Sequence, residues 1–574
     1  MAGFRTPAEK INQRRVRLML RGSGFSSRGR IFCIAAALAA VLLYLAPLGS
    51  YPLMEPDEGR YAEIPREMIE SGDYVTPRLN YVKYFEKPAL LYWANAANFK
   101  IFGENEFAAR LFPALCALGG AAVTAAFGAT LYGRRAGLIA GAVTATSLLY
   151  FVVGTLNITD MPLTFFLTLA FASFYAAHVR RERRLYALFY LACALAVLAK
   201  GLVGVVLPGA VIFLYILITR EWKLFVEPLY LPGIILFFAV CAPWFVMVCR
   251  ENPDFFHFFF VQEHFLRYTT KMHGRYEPFW YFLPMVPAGL VPWAAFLPPL
   301  LSRRSVLRSP ESAEQKRANI YLLLWCGVIL LFYSMSDSKL IPYIVPCLPP
   351  LALLAGADVD RMASTGTWHG GALWWLAAEA VLLGGGLVAA ALLSGEYVNS
   401  SQALAIVLRA VPAMLAMPLA VWFFGRKDGG AAVRALAVCA LVFIWGLQGL
   451  YGVVAPTRTL KDAAQAVNVM YRAGDTVAAY DEILQGLSFY TGRRVMCVAE
   501  RGELEFGASK PEAEGWFPTK EGFLEMWNSG EKNFILVVEK GGRFDSLFPD
   551  GRTGASSMVE AGDYLVLVKR KDVE

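Results

Sequence analysis

The sequence contains few charged residues: only 17% of its 574 residues are Asp, Glu, Lys or Arg, whereas a soluble domain usually carries about 25%. Hydrophobic residues make up 57% of the chain and are concentrated in long stretches between residues 31 and 454. A stretch of roughly 18 apolar residues can cross the hydrocarbon core as a helix, and these stretches are too long and continuous for barrel strands. The composition therefore predicts an α-helical polytopic membrane protein.

The chain also lacks a cysteine motif. None of its nine cysteines forms a CxxC pair, and most of them lie in or beside apolar stretches. This excludes a disulfide framework and a zinc ribbon. No internal repeat is visible, which counts against a transporter built from inverted repeats.

About thirteen transmembrane helices are predicted. They cover residues 31–49, 108–131, 136–154, 160–178, 185–199, 202–219, 229–249, 280–301, 319–335, 340–356, 371–393, 404–424 and 431–453. The N-terminal segment 1–30 is basic, as is every second loop after it, so these parts are predicted to face the cytoplasm. The net charge of +8 is therefore interpreted as a signal for orientation, and no nucleic-acid partner is expected.

Three larger segments are predicted on the other face of the membrane. They are the outer loops 50–107 and 250–279 and the C-terminal residues 455–574. Because the predicted number of spans is odd, the C-terminal segment lies outside. It is predicted to be a soluble α/β domain. Strands are expected at Thr476–Tyr480, Arg494–Val498, Phe534–Glu539 and Tyr564–Val568, and helices at Lys461–Tyr471 and Glu482–Tyr490.

Two acidic motifs fall on this outer face. Glu55-Pro56-Asp57-Glu58-Gly59-Arg60 directly follows the first span, and Thr159-Asp160 begins the fourth. Taken singly, the first could be a solvated loop and the second a helix cap. Two carboxylates that face one aqueous cleft are, however, what a glycosyl transfer site needs.

Several basic residues occur near the same face. Lys87 follows Glu86 in an aromatic stretch, where it could bind a lipid phosphate or simply anchor the chain at the interface. Lys200 and Lys339 lie at outer span ends, and ionisable residues at such depths are functional candidates. Glu86 and His264 could hold a divalent metal such as zinc, but they belong to no spaced ligand motif, so no cofactor is required.

Three segments carry a family resemblance: PDEGRYAEIPREMIESGDYVTPRLNYVKYFEKPALLYW, TDMPL and SKLIPYIVP. They resemble the ArnT-like aminoarabinose transferases, which are distant relatives of the protein O-mannosyltransferases and have a GT-C fold. The resemblance covers roughly residues 30–455. It implies that residues 31–454 form a transmembrane GT-C catalytic domain, with a periplasmic domain at 455–574.

The resemblance also implies roles for individual residues. Asp57 and Asp160 match the catalytic carboxylates, and Glu86 and Lys87 match a pair near the carrier phosphate. The remaining cavity residues, which are expected to bind the donor phosphate or lipid together with Lys87, are Arg60, Tyr61, Lys200, Lys339 and Tyr343, with His264 also in the cavity. Gly59 departs from the family pattern, since a polar residue such as Thr is expected before Arg60. The identity of the transferred sugar is therefore left open.

The expected protein is thus a multi-pass glycosyltransferase of the bacterial inner membrane. It would move aminoarabinose or a similar sugar from undecaprenyl phosphate to a periplasmic acceptor by an inverting single displacement, and a lipid A phosphate is the expected acceptor. A protein or another glycan as acceptor is the alternative within this class, and a hydroxyl acceptor would need Asp57 or Asp160 as general base. A lipid flippase or transporter is the alternative from another class.

Overall fold

A computed structural model describes residues 27–266, 277–393 and 400–571. Most of the predicted N-terminal segment 1–30 therefore lies outside the described residues. Helices dominate up to residue 458, and a mixed sheet follows. The α-helices before the sheet are α1 (Ser27–Leu45), α2 (Asp57–Ser71), α3 (Leu90–Phe102), α4 (Glu106–Tyr132), α5 (Arg134–Ala145), α6 (Leu148–Gly154), α7 (Asp160–Arg180), α8 (Arg184–Lys200), α9 (Val203–Thr219), α10 (Leu231–Glu251), α11 (Phe282–Leu290), α12 (Ala313–Met335), α13 (Leu348–Thr365), α14 (Ala372–Leu393), α15 (Ser400–Phe424), α16 (Gly429–Leu447) and α17 (Gly449–Val454).

All thirteen apolar stretches fall on helical structure, but the long spans are fewer than thirteen. Eight helices in the described ranges are long and apolar enough to cross a membrane, or up to ten if each of two bent helix pairs forms one span. The bent pairs are α5 with α6, at 63°, and α11 with the short helical turns Ala294–Leu301, at 108°. The predicted first and sixth spans correspond to shorter apolar helices, Gly29–Leu45 and Val203–Thr219.

The two helix breaks bond to each other. The Leu148 N–H donates to the Val291 carbonyl oxygen at 2.8 Å, and the Trp293 indole N–H donates to the Thr146 hydroxyl at 2.9 Å. A broken backbone at membrane depth needs partners of this kind, because lipid offers none. Polar groups at each helix break are therefore hydrogen-bonded to groups at the other break.

The first outer segment, residues 50–107, is ordered and not the simple loop predicted above. It contains α2, α3 and a small hairpin of β1 (Arg78–Leu79) paired antiparallel with β2 (Val82–Lys83). Asp57 and Glu58 occupy the first turn of α2, where acidic side chains favour the positive end of a helix. In the second outer segment, His257–Leu266 is π-helical, and residues 267–276 lie outside the described residues.

The C-terminal domain contains the strands β3 (Thr476–Tyr480), β4 (Val495–Val498), β5 (Phe534–Glu539), β6 (Ser557–Ala561) and β7 (Tyr564–Lys569). They form one sheet in the order β4-β3-β5-β7-β6. Strand β3 is parallel to β4 and β5, whereas β7 is antiparallel to β5 and β6. The four predicted strands are confirmed, and the edge strand β6 was not predicted because four of its five residues are exposed and give no strong apolar signal. The helices of the C-terminal domain are α18 (Lys461–Met470), α19 (Gln485–Thr491), α20 (Glu505–Ala508), α21 (Lys520–Ser529) and α22 (Gly542–Leu547).

The outer segment is tied to the C-terminal domain by backbone contacts. The Asn80 side chain bonds to both main-chain groups of Val495, donating at 2.7 Å and accepting at 2.8 Å. Gly59 on α2 lies against Gly486 on α19, and a Cβ at Gly59 would be 2.6 Å from the Gly486 nitrogen. Gly59 therefore faces the C-terminal domain, and this close approach leaves no room for the polar side chain expected at this position.

Candidate active site

The start of α2 is fixed by a buried ion pair. The Arg110 side chain is 0% exposed and contacts Glu58 through two hydrogen bonds of 2.7 and 2.8 Å. Arg110 also donates to the carbonyl oxygens of Leu48 and Tyr51, each at 2.8 Å. The Glu58 carboxylate is therefore occupied by Arg110. Its neighbour Asp57, with a side chain 53% exposed, remains open to solvent.

Arg60 lies at the centre of an acidic cluster. Its guanidinium is 2.9 Å from the Asp57 carboxylate, 2.5 Å from Glu503 and 3.9 Å from Glu86. It also donates to the Tyr84 hydroxyl at 2.9 Å. The side chains of Arg60, Glu86 and Glu503 are only 7%, 10% and 18% exposed, so these three charges interact in a largely desolvated place. Asp57 is at the open edge of the cluster.

A second cation is beside this cluster. The Lys87 ammonium lies 3.6 Å from the Glu86 carboxylate and donates to the Glu86 carbonyl oxygen at 3.0 Å. Glu86 thus stands between Arg60 and Lys87. The predicted residues Asp57, Arg60, Glu86 and Lys87 therefore come together in one group.

Asp160, Lys200 and Tyr343 form a second group. The Lys200 ammonium is 2.5 Å from the Asp160 carboxylate and lies 4.6 Å from the centre of the Tyr343 ring. Asp160 begins α7, Lys200 ends α8, and Tyr343 belongs to the turn Ile341–Cys347. Three separate elements therefore converge on this ion pair, which the spacing along the chain alone did not show.

Glu58, next to Asp57, and Asn157, three residues before Asp160, connect the chain segments that carry the two groups. The Asn157 N–H donates to the Glu58 carboxylate at 2.9 Å, and the Asn157 side-chain oxygen accepts from Asn95 at 2.8 Å. Tyr61 lies between them: burial raises the pKa of its phenol, Arg60 opposes this shift, and the carboxylates Asp57, Glu86 and Asp160 add to it. Both predicted catalytic carboxylates thus act electrostatically on one tyrosine.

Glu503 was not predicted as a site residue. It belongs to the C-terminal domain, and its carboxylate accepts a hydrogen bond from the Gln485 amide as well as binding Arg60. Burial raises the pKa of Glu503 to about 7, Arg60 opposes the shift, and Glu86 adds to it. No motif in the sequence marks this residue, because its role depends on how the domain docks on α2.

Lys339 and His264 were also predicted as site residues. Lys339 is buried, and its ammonium donates to the carbonyl oxygens of Ser336 at 2.6 Å and Glu277 at 2.8 Å. The side chain of His264 lies outside the described residues, so its pairing with Glu86 on a metal stays a prediction. Among the residues that are described, no group of three or more His, Cys, Asp or Glu side chains is arranged to hold a metal ion.

This arrangement combines a helical membrane bundle, an ordered outer segment bearing paired carboxylates and cations, and a C-terminal domain that reaches the same cluster. Residues 30–259 match the family model of the dolichyl-phosphate-mannose-protein mannosyltransferases. Residues 463–548 match the aminoarabinose transferase C-terminal domain. The fold and the site define a polytopic membrane glycosyltransferase of the GT-C class.

Sequence relatives identify the family to which this glycosyltransferase belongs. The undecaprenyl phosphate-alpha-4-amino-4-deoxy-L-arabinose arabinosyl transferase of Aeromonas salmonicida is 32% identical over 548 residues, which cover 90% of this chain and 96% of the relative. The enzyme of the same name from Erwinia tasmaniensis is 32% identical over 514 residues, which cover 85% of this chain and 89% of that relative. The chain belongs to this family of arabinosyl transferases.

Solved structures agree with this assignment. The crystal structure of ArnT from Cupriavidus metallidurans bound to undecaprenyl phosphate superposes with a TM-score of 0.82 at 30% identity, covering 95% of this chain and 99% of that one. The archaeal oligosaccharyltransferase AglB from Archaeoglobus fulgidus gives a TM-score of 0.51 at 13% identity, covering 88% of this chain and 69% of that one. The second similarity concerns the fold alone.

Proposed function

We propose that this protein transfers 4-amino-4-deoxy-L-arabinose from undecaprenyl phosphate to a phosphate of lipid A. The names of the relatives supply the donor and the sugar, and the charge of the site supports them. In the two groups described above, four carboxyl groups stand beside three cations. The carboxyl groups belong to Asp57, Glu86, Asp160 and Glu503, and the cations to Arg60, Lys87 and Lys200.

The observation that carries the proposal is the half-exposed Asp57 carboxylate beside Arg60, with Lys87 next to the same cluster. An amino sugar bears a positive charge at neutral pH, and a carboxylate that is open to solvent can bind it. The three cations remain necessary because the donor and the acceptor both contain phosphate.

The proposed reaction is a single displacement. An oxygen of the acceptor phosphate forms a bond to the anomeric carbon, while the bond from that carbon to the undecaprenyl phosphate oxygen breaks and its electron pair leaves with the phosphate. The configuration at the anomeric carbon inverts. Because the acceptor phosphate is already anionic, no general base is required.

The residues contribute mainly electrostatic stabilisation. Asp57 and Asp160 offset the oxocarbenium character that develops at the sugar ring. Lys87, Arg60 and Lys200 offset the charge that grows on the departing phosphate. These interactions strengthen as charge separates, so they lower the barrier more than they tighten ground-state binding.

The protein is a multi-pass membrane protein, and we propose that its N-terminus faces the cytoplasm and its C-terminal domain the periplasm. The basic clusters support this orientation, for example Arg134 and Arg135 at the start of α5, and Arg180, Arg181, Arg183 and Arg184 where α7 meets α8. Under the positive-inside rule such loops remain cytoplasmic. Asp57 and the start of α7 are then on the periplasmic side.

Mass spectrometry of lipid A tests the proposed function. The chain is expressed in a host that makes the lipid-linked aminoarabinose but lacks its own transferase. Lipid A is expected to gain the mass of one aminopentose per modified phosphate, and the Asp57→Asn variant is expected to leave it unmodified. Transfer to a protein or another glycan, with lipid A unchanged, would show that the acceptor is wrong.

The transporter alternative is separated by a second assay. Purified protein in liposomes is supplied with the lipid-linked sugar and lipid A, and both transbilayer movement of the donor and formation of product are measured. A transferase forms product in detergent as well as in liposomes. Donor movement without product in either system would contradict the proposed function.

A further inference from the structure

The C-terminal domain contributes more to this site than Glu503. Residues 501–518, which we term the acceptor segment, connect β4 to α21 and carry Glu503 to Arg60. Within this segment the Phe506 ring lies 5.4 Å from the ring of Phe85 and 4.5 Å from that of Phe258. The acceptor segment is thus packed against both outer segments of the membrane domain.

A glycine allows this close packing. A Cβ on Gly507 would be 2.6 Å from the Lys83 carbonyl oxygen and 2.8 Å from the Val82 side chain. The backbone of the acceptor segment therefore lies directly on the β1–β2 hairpin. Its position relative to Glu86 and Lys87, three and four residues after Lys83, is fixed by the same contact.

The acceptor segment also lines a wide, solvent-open cavity of about 550 Å³. A cavity of this size and openness can hold one phosphorylated sugar that stays partly in solvent. Its walls combine two cations, one carboxylate and an aromatic ring, contributed by Arg501, Lys510, Glu514 and Phe517. Such a lining suits a phosphorylated sugar, since the cations bind phosphate, the carboxylate accepts from hydroxyl groups and the ring packs on the sugar face.

The two cations can be redirected to a ligand. Arg501 is 48% exposed, and its nearest carboxylate partner, Glu505, is 3.7 Å away. Lys510 lies 2.6 Å from Asp254, a carboxylate that is itself 63% exposed. Exposed pairs of this kind contribute little to stability, so exchanging them for a phosphate costs little.

We propose that this cavity binds one phosphorylated sugar of the lipid A headgroup while the reacting phosphate faces the Arg60 cluster. Arg501 is two residues from Glu503, so their Cα atoms are separated by about 7 Å at most. A disaccharide can span this distance. The inference rests on the proposed function, because it assigns a binding site to the acceptor of that reaction.

Steady-state kinetics of the full-length protein in detergent test the proposal. In the Arg501→Ala/Lys510→Ala variant, the KM for lipid A is expected to rise about tenfold, because two charge-assisted contacts to a phosphate are lost. The kcat and the KM for the lipid-linked donor are expected to stay unchanged. Lys510→Arg should retain the parent KM. An unchanged KM for lipid A in the double variant would overturn the proposal.

Lys532→Ala is the matched control. Lys532 is an exposed lysine of the same domain that precedes β5, whereas the acceptor segment follows β4, and both strands are parallel to β3. The control residue is therefore at the opposite end of the sheet. A similar rise in KM for this variant would show that the effect is general charge loss, and would contradict a localised site.

Direct binding separates this inference from the proposed function. The deacylated, bis-phosphorylated disaccharide of lipid A is titrated against the parent and the double variant, with inorganic phosphate as a parallel probe. Binding to the parent alone supports the site even if no sugar transfer is detected. Equal affinity for inorganic phosphate, or equal binding to both proteins, would show that the cavity does not recognise the headgroup.

Discussion

Arg60 of the first outer segment and Glu503 of the C-terminal domain form an ion pair of 2.5 Å. Arg60 also contacts the predicted catalytic carboxylate Asp57. The acidic cluster is therefore complete only when the C-terminal domain is docked on α2. This domain is part of the site and not an appended module, which gives the family-specific match at residues 463–548 a physical meaning.

Glu503→Gln is expected to change the pH dependence of donor binding. Because burial raises the pKa of Glu503 to about 7, the site gains a negative charge as the pH rises from 6 to 8. That charge opposes the donor phosphate, so the donor KM of the parent should increase by roughly threefold over this range. The variant should keep the lower KM throughout. Initial rates at several donor concentrations and pH values measure this.

The raised pKa of Glu503 should also make the stability of the protein depend on pH. The ordinary pKa of a Glu carboxyl is 4.5 and that of folded Glu503 is about 7, so the folded state binds this proton more tightly than the unfolded state. The contribution of Glu503 is fully present below pH 4.5 and is lost as the pH rises to about 7. The unfolding temperature of Glu503→Gln should therefore fall less over this window. Glu525→Gln, an exposed carboxylate on α21, should behave like the parent.

Asp57→Asn is expected to reduce kcat by about a hundredfold or more, since it removes the carboxylate that we propose to stabilise the positive charge at the sugar ring. The side chain is half-exposed, so the unfolding temperature in detergent should remain near that of the parent. Glu104→Gln provides a control in the same outer segment, because Glu104 is an exposed carboxylate. Full activity of Asp57→Asn would remove Asp57 from the mechanism.

Glu58→Gln is expected to act through stability, although Glu58 is the next residue in the chain. The substitution leaves the buried Arg110 guanidinium without its charge partner, at a cost of roughly 3 kcal/mol or more. The measurement is thermal unfolding followed by size-exclusion chromatography. Glu58→Gln/Arg110→Met should recover part of the loss, because it also removes the unpaired charge. An unfolding temperature equal to that of the parent would contradict this assignment.

These adjacent acids show what the sequence could predict. The membrane helices, four strands and the acidic motifs were accessible because apolar run length, alternation and charge are local properties of the chain. Which of Asp57 and Glu58 stays open to solvent was not accessible, since the answer depends on Arg110 approaching from another helix. The resemblance to the family implies a catalytic role for Asp57, which stays a prediction; the structure shows that Asp57 is the exposed one of the two.

Glu503 and Lys339 show which contacts in the site were not accessible from the sequence. Glu503 lies in a stretch without a motif and reaches Arg60 only through the docking of α19 on α2. The role of Lys339 in donor binding stays a prediction, and the bond from its ammonium to the Glu277 carbonyl oxygen was not accessible from the sequence. Both contacts join residues that are far apart in the chain, and a single sequence does not show which of these come together.

Gly59→Thr is expected to separate the C-terminal domain from α2. A Cβ at this position would lie 2.4 Å from the Glu55 carboxylate and 2.9 Å from the Gly486 Cα, and backbone cannot yield as a flexible side chain does. Overpacking of this kind costs typically about 1–3 kcal/mol. The Arg60–Glu503 contact should then be weakened, with a loss of activity and faster proteolytic release of the domain. Gly452→Thr is the control, because a Cβ at Gly452 meets nothing within 4 Å. Parent-like activity and protease resistance in Gly59→Thr would show that this close approach is not needed to hold Glu503 at Arg60.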